Sequence, residues 1–178
     1  MNYIELNNQV IIRDENGKFQ LEKDKEALKS YLEDYIEPKT KKFSSLKERL
    51  DYLVKNDYYS KDILNMYDEY VIEVIYDFIR SKNFKFQSYM SASKFYQNYA
   101  LKSDDGEEIL ENYEDKVLIV ALALGNGDPE LTRDSAEKLI NQEFQPATPT
   151  FLNAGRARAG KMVSCFLVNI EDSCEGIS

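Results

Sequence analysis

The stretch that decides the fold runs from Pro146 to Ser178 and reads PATPTFLNAGRARAGKMVSCFLVNIEDSCEGIS. It opens with a predicted Thr-Pro-Thr turn at 148–150 and continues as a basic, glycine-bearing loop over 153–161. It then enters an apolar run, Met162–Ile170, which carries Cys165 and is rich in residues that favour extended structure. This pattern predicts a buried strand, whose backbone needs neighbouring strands as hydrogen-bond partners. The sequence stops eight residues after the run, so we expect other sequence to complete the sheet.

Length and composition place the chain among ordinary globular proteins. Its 178 residues, 43% of them hydrophobic, suffice for one large or two small domains with a proper core. A mean hydropathy of -0.55 with 31% charged residues predicts a soluble protein. No window approaches the roughly 20 apolar residues of a membrane span, and the N-terminus lacks the features of a signal peptide. These features predict a cytoplasmic protein without membrane partners.

The charge and the scarcity of metal-binding side chains exclude several classes of function. A net charge of -9 argues against a non-specific nucleic-acid binder, which needs a basic face for phosphates. Small anions remain possible ligands, because loops and helix N-termini can hold them. The chain has no histidine and only two cysteines, too few for a metal site or a disulfide framework. Both cysteines are expected to be thiols.

Residues 1–22 are predicted to contain a short β-hairpin. Val10–Ile12 and Lys18–Leu21 are apolar or mixed runs that favour strands. Between them lies Asp14–Gly17, which ends in an Asn-Gly pair typical of a tight turn.

The chain between this hairpin and Pro146 is predicted to be helical, because apolar residues recur every three or four positions. Pro38 ends the first helix, Ser45 and Glu48 have capping-box spacing, and Asp128 and Pro129 have the types that begin a helix. The predicted helices span about 23–37, 45–54, 63–79, 90–101, 113–124 and 129–144. The sum is a mainly α protein with a small β element at each end.

The motifs ATPTFLNAGR (147–156) and VSCFL (163–167), together with FKFQSYMSASKFYQNYALK (84–102), carry a family resemblance. They resemble the N-terminal part of the large (α) subunit of class I ribonucleotide reductase, most of all the class Ib type. The likeness extends to IELNN and LEKDKEAL and so covers nearly the whole chain.

The resemblance implies an N-terminal helical domain that leads into the first strand of an incomplete ten-stranded α/β barrel. It implies a shortened regulatory cone at 1–86 and a helical domain at 87–160 that ends in a substrate-phosphate loop. Residues 161–178 would then form the first barrel strand. In the region before Tyr89 the aromatic helices could contact an adenine nucleotide, but we expect them to be packing.

The family reduces the 2′-hydroxyl of ribonucleoside diphosphates by a thiyl-radical mechanism, in which a cysteine pair gives two electrons and becomes a disulfide. Cys165 resembles the first cysteine of that pair. Thr150 resembles the threonine that binds the substrate diphosphate, and Ser164 lies where the family places a serine near the substrate. Asp172 resembles an acidic residue of the site where a deoxynucleoside triphosphate effector sets specificity.

Much of the family's machinery belongs to later barrel strands, including the second redox cysteine and the radical-bearing cysteine. Cys174 is not the missing partner, because nine positions of extended chain at ~3.3 Å each keep it beyond disulfide reach of Cys165. Residues 1–178 alone are therefore expected to be inactive. The resemblance implies four partners: the remaining α barrel, a radical-generating β subunit with a metal cofactor, a thioredoxin- or glutaredoxin-like reductant, and nucleoside triphosphate effectors.

Each assignment has a structural alternative. Cys165 could be a small buried hydrophobe, Thr150 and Ser164 could serve only the local turn, and Asp172 could be a solvated acid that ends a strand. The whole chain could be a free-standing helical nucleotide-binding or regulatory module without catalysis. We expect the cations of the 153–161 loop to be solvated; they are Arg156, Arg158 and Lys161.

Overall fold

The structure is a computed structural model that describes residues 2–158, 160–165 and 167. Within that part of the chain the regular structure is helical, which confirms the prediction of a mainly α protein. The α-helices are α1 (Tyr3–Gln9), α2 (Leu21–Ser30), α3 (Leu46–Lys55), α4 (Lys61–Leu64), α5 (Glu69–Ser81), α6 (Tyr89–Asn98), α7 (Tyr113–Gly125), α8 (Pro129–Ile140) and α9 (Thr148–Asn153). A π-helical segment, Tyr31–Ile36, and a 3₁₀ turn, Glu37–Lys39, continue α2.

Helix α7 is the centre of the core. Its side chains are buried on most sides, as a helix that is apolar all round requires. It packs against α8 and α5. The prediction of a buried helix at 113–124 is confirmed, and Leu152 and Gly155 contact this helix.

Local capping chemistry sets several helix ends where they were predicted. The Ser45 side chain accepts from the backbone N–H of Glu48 at 3.1 Å and begins α3. Asn126 closes α7 in the left-handed conformation (φ 46°), and the Asp128 side chain caps α8 immediately before Pro129. Helix α8 ends at Ile140, four residues before the predicted end.

The predicted N-terminal hairpin is largely replaced by other structure. Asn2 caps α1 through a capping box with Glu5, so the chain before Val10 is helical. The turn itself is present, because the Asp14 side chain accepts from the backbone N–H groups of Asn16 and Lys18, each at 2.9 Å. These side-chain bonds leave a single β-bridge, Arg13 to Phe19, in place of two strands.

The prediction of a single helix over 63–79 is also wrong. Residues 65–68 interrupt it between α4 and α5. The cause is Tyr67, whose hydroxyl turns into the core and donates to the Leu122 carbonyl at 2.8 Å. The same oxygen accepts from the backbone N–H of Gly127 at 2.8 Å. These long-range bonds outweigh the helical periodicity of the sequence.

The C-terminal stretch differs from its prediction as well. The Thr-Pro-Thr residues form the first turn of α9, since Pro149 in the first turn loses no backbone hydrogen bond. Of the predicted strand Met162–Ile170, the described residues 162–165 and 167 are not in a strand. The remaining residues of that strand lie outside the described residues.

Among the residues that the structure describes, no helix has both the length and the apolar character that a membrane crossing requires.

Candidate functional site

The candidate site is the segment that begins with α9 and continues through the cysteine loop, which we define as residues 154–158 and 160–165. Phe151 buries its ring in the core and fixes α9. The Thr150 hydroxyl donates to the Met162 carbonyl at 3.1 Å, and the Asn153 amide donates to the Lys161 carbonyl at 3.1 Å. Two side chains of α9 therefore hold the end of the cysteine loop against the helix.

The structure places the predicted catalytic thiol at the surface. Cys165 is exposed and is a free thiol in this chain. Ser164 is exposed beside it, with its hydroxyl 3.7 Å from the Cys165 sulfur. The Thr150 hydroxyl bonds to Met162, two residues before Ser164, and its proton is used in that bond.

Asp172, the predicted effector contact, and Cys174 lie outside the described residues. Their roles stay predictions, as do those of Cys165, Thr150 and Ser164.

The prediction of a solvated basic loop is wrong for Arg156. Its side chain is only 10% exposed and donates from Nη2 to Oε2 of Glu111 at 2.6 Å. Glu111 is fully buried and has two further donors, the Tyr59 hydroxyl at 2.5 Å and the Leu101 backbone N–H at 2.9 Å. Arg158 and Lys161 are exposed as expected, and Arg158 pairs with the exposed Asp104.

The buried charges perturb one another. Burial raises the pKa of Glu111, but the neighbouring Arg156 and Lys116 and the Tyr59 hydrogen bond outweigh it, and the net shift is downward. Burial lowers the pKa of Lys116 to about 8, against the opposing attraction of Glu111. Burial, with the adjacent carboxylate, raises the pKa of Tyr59 well above its ordinary value. The cluster therefore holds a carboxylate and a phenol in their ordinary charge states.

Lys116 is the other cation that prediction did not single out. It is fully buried in the first turns of α7, and its Nζ donates to the Leu152 carbonyl near the end of α9 at 3.0 Å. A cation at a helix C-terminus complements the carbonyl groups that the helix leaves unpaired. The lysine at the start of the run KVLIVALAL, which is otherwise apolar, is the signal that could have revealed it, because a buried lysine needs a polar partner.

A cleft of about 290 Å³ opens beside the cysteine loop. It is lined by cations and aromatic rings from three parts of the chain, including Arg156, Arg158, Lys102, Tyr58 and Tyr99. A second cleft, of about 510 Å³ between α3, α4 and α5, contains none of the predicted site residues. Over the described ranges, no three Asp, Glu or Cys side chains are grouped as metal ligands.

Comparison with known proteins identifies the family. The family model "Ribonucleotide reductase N-terminal" matches residues 3–84, and "Ribonucleotide reductase, all-alpha domain" matches residues 85–159. The chain belongs to the ribonucleotide reductase family. The resemblance inferred from the motifs is confirmed.

Curated relatives align with nearly all of the chain. It is 51% identical over 176 residues to the ribonucleoside-diphosphate reductase subunit alpha of Bacillus subtilis (strain 168), covering 99% of this chain and 25% of the relative. It is 53% identical over 177 residues to the NrdEB subunit alpha of the same organism, covering 99% and 16%. The Mycoplasma genitalium subunit alpha is 47% identical over 175 residues, covering 98% and 24%. The chain thus spans a quarter or less of the length of these relatives.

Proposed function

We propose that this chain is the N-terminal part of a ribonucleoside-diphosphate reductase α subunit, which makes deoxyribonucleoside diphosphates for DNA synthesis. The observation that carries the proposal is the alignment of residues 3–159 with both family models. Relatives at 51% and 47% identity that bear the subunit's name support it. No described contact favours the rival, a free-standing regulatory module.

Cys165 is the proposed redox residue. In the proposed reaction two thiols give two electrons to the nucleotide, the ribose 2′-hydroxyl leaves as water, and the thiols become a disulfide. The second thiol would come from a later strand of the barrel. An exposed sulfur in a loop that α9 holds at two points supports this role, because the reaction needs a positioned reductant.

Thr150 and Ser164 are the proposed substrate contacts, and Asp172 is the proposed effector contact. Thr150 lies on α9, which precedes the cysteine loop, and Ser164 adjoins Cys165. A hydroxyl close to the thiol could bind substrate diphosphate or ribose. An aspartate can accept hydrogen bonds from the ribose hydroxyls of a deoxynucleoside triphosphate.

The complete enzyme would need components that this chain does not supply. In this proposal residues 1–86 and 87–160 form two helical regions, and residues 161–178 form the first strand of a ten-stranded barrel. The complete enzyme would contain the remaining strands of that barrel. A radical-generating β subunit would carry the metal cofactor. A thioredoxin- or glutaredoxin-like protein would reduce the disulfide, and the assembly would work in the cytoplasm.

Replacement of the thiol tests the proposal. In an α subunit that joins this chain to the remaining barrel, Cys165→Ser should abolish turnover with a dithiol reductant and leave binding of a ribonucleoside diphosphate nearly unchanged. Arg158→Met, which changes an exposed cation of the same loop, is the matched control. If Cys165→Ser turned over at the wild-type rate, the redox assignment would be wrong.

A further inference from the structure

Three contacts attach residues 152–156 to α7 and to Glu111, which lies two positions before the start of α7. Lys116 donates to the Leu152 carbonyl at 3.0 Å, and Arg156 donates to Glu111 at 2.6 Å. Between these two polar contacts, Gly155 (φ +76°) lies so close to Ile119 that a Cβ would overlap the isoleucine side chain. The register of α7 therefore determines where the cysteine loop begins.

Backbone hydrogen bonds attach the start of the cysteine loop to residues 58–60. Ser60 donates its N–H to the Gly155 carbonyl at 2.9 Å, and Ala157 donates to the Tyr58 carbonyl at 3.1 Å. Arg156 forms the β-bridge with Tyr59 between these two bonds. Its side chain thus crosses from this bridge to the buried carboxylate of Glu111, and it joins the two sides of the attachment.

The buried pair is not a simple source of stability. Replacing a buried ion pair by apolar residues is often neutral for stability or even favourable, whereas the best-attested use of such a pair is to fix a register. Here the cluster contains two cations, Arg156 and Lys116, for the one carboxylate of Glu111. Nη1 of Arg156 is also buried without a hydrogen-bond partner in the described part of the chain. Such an arrangement lowers the stability of the fold, so we infer that it is kept for the geometry that it imposes.

We propose that Arg156, held by Glu111, is a positioning residue that sets the start of the cysteine loop, and through it Ser164 and Cys165, relative to α9. This inference rests on the proposed function, because the thiol needs a set position only if it reacts with a substrate bound beside it. Arg156 itself touches neither the thiol nor Thr150 in any described contact.

The contacts predict that a change at Arg156 affects kcat and KM to different extents. Helix α9, which carries Thr150, is fixed by Lys116 and by the buried Phe151, and neither contact involves Arg156. Arg156 fixes the start of the loop that follows it, whereas Thr150 and Asn153 of α9 hold the end of that loop at Met162 and Lys161. Loosening that residue should therefore misplace the thiol more than the proposed phosphate contact, and kcat should fall more than KM rises.

The test compares four variants of an α subunit that contains this chain and the remaining barrel. Arg156→Lys keeps the charge but removes the planar fork that reaches Glu111. Arg156→Met removes the charge as well. Arg158→Met changes a neighbouring arginine whose side chain is 59% exposed, and Cys165→Ser tests the proposed function separately. The measurements are kcat, KM for a ribonucleoside diphosphate, thermal unfolding, and hydrogen exchange at the N–H groups of Ala157 and Ser60.

We expect Arg156→Lys to lower kcat by about tenfold with KM changed less than about threefold, while its unfolding temperature stays near that of the wild type. Exchange at Ala157 and Ser60 should become faster in both Arg156 variants and stay unchanged in Arg158→Met. If Arg156→Lys kept the wild-type kcat, or if kcat merely followed the unfolding temperature across the variants, the positioning role would be refuted. An active Cys165→Ser would instead refute the redox role of the thiol, whatever the Arg156 variants do.

Discussion

Gly155 packs directly on Ile119, so the cysteine loop and the core helix α7 approach each other where only a glycine fits. The φ of Gly155 is +76°, and a Cβ there would overlap the Ile119 side chain and lie close to its carbonyl oxygen. Two different penalties therefore oppose any other residue at this position: backbone strain and steric overlap.

Gly155→Ala should lower the free energy of unfolding by about 2–4 kcal/mol, the sum of left-handed strain and overpacking. Gly106→Ala is the matched control, because Gly106 has the same φ of +76° but no neighbouring atom within 4 Å of the place that an alanine Cβ would occupy. That control should cost only about 1 kcal/mol. Urea unfolding of the 178-residue chain measures both values. Equal losses in the two variants would mean that Ile119 does not press on the loop.

The helices that sequence predicted correctly are those whose ends depend on neighbouring residues. Ser45 begins α3, and Asp128 with Pro129 begins α8, through bonds or backbone preferences that span at most three positions. The break at 65–68 was missed because Tyr67 bonds to Leu122, a residue 55 positions away. Periodicity describes one helix at a time and contains no information about such a partner.

The same limit applies to the candidate site. The motif around Cys165 was recognisable from sequence, and the structure shows the thiol exposed. Arg156 was expected to be solvated, because nothing near it in the sequence indicates a buried carboxylate. Its partner Glu111 is 45 positions away, and only the packing of the loop on α7 brings them together. Charge pairs between distant segments are the part of this site that a sequence pattern does not reveal.

Tyr67→Phe should destabilise the chain by about 1–3 kcal/mol. The hydroxyl bonds to the Leu122 carbonyl, to the Thr132 hydroxyl and to the Gly127 N–H, each at 2.8 Å, and its loss leaves buried polar groups unpaired. Tyr70→Phe is the control, since that ring is 75% exposed, and it should change stability by less than about 0.5 kcal/mol. Thermal unfolding distinguishes them. A Tyr67→Phe protein as stable as the control would show that the hydroxyl does not enforce the break between α4 and α5.

The lowered pKa of Lys116 predicts that the stability of the fold changes with pH in the alkaline range. Its folded pKa is lowered to about 8 from an ordinary value of 10.5, so between these pH values the unfolded chain binds more protons than the folded one. Stability from this group is therefore fully present above 10.5, and it is lost as the pH falls through about 8. The charged and titratable groups that face it are Glu111 and Arg156.

Between pH 8 and 10 the wild type should gain free energy of unfolding relative to Lys116→Met, by at most about 1.4 kcal/mol per pH unit. Taking the difference removes the contributions of tyrosines, which both proteins share. Lys138→Met is a control, because Lys138 is a half-exposed lysine paired with Asp134 on α8. Parallel curves for the wild type and Lys116→Met would show that Lys116 is not desolvated.

Glu111→Gln should be among the most destabilising single changes in the chain. It leaves Arg156 and Lys116 buried without a counter-charge, and breaking a buried pair from one side costs about 3–5 kcal/mol. The double variant Glu111→Gln with Arg156→Met removes the orphaned guanidinium while glutamine still accepts from Tyr59 or Leu101, so it should recover more than half of the loss. Asp104→Asn breaks the exposed pair with Arg158 and should cost less than about 1 kcal/mol. Denaturant unfolding of all three variants gives the comparison. A double variant as unstable as Glu111→Gln would mean that the loss comes from the carboxylate's own hydrogen bonds rather than from an unpaired cation.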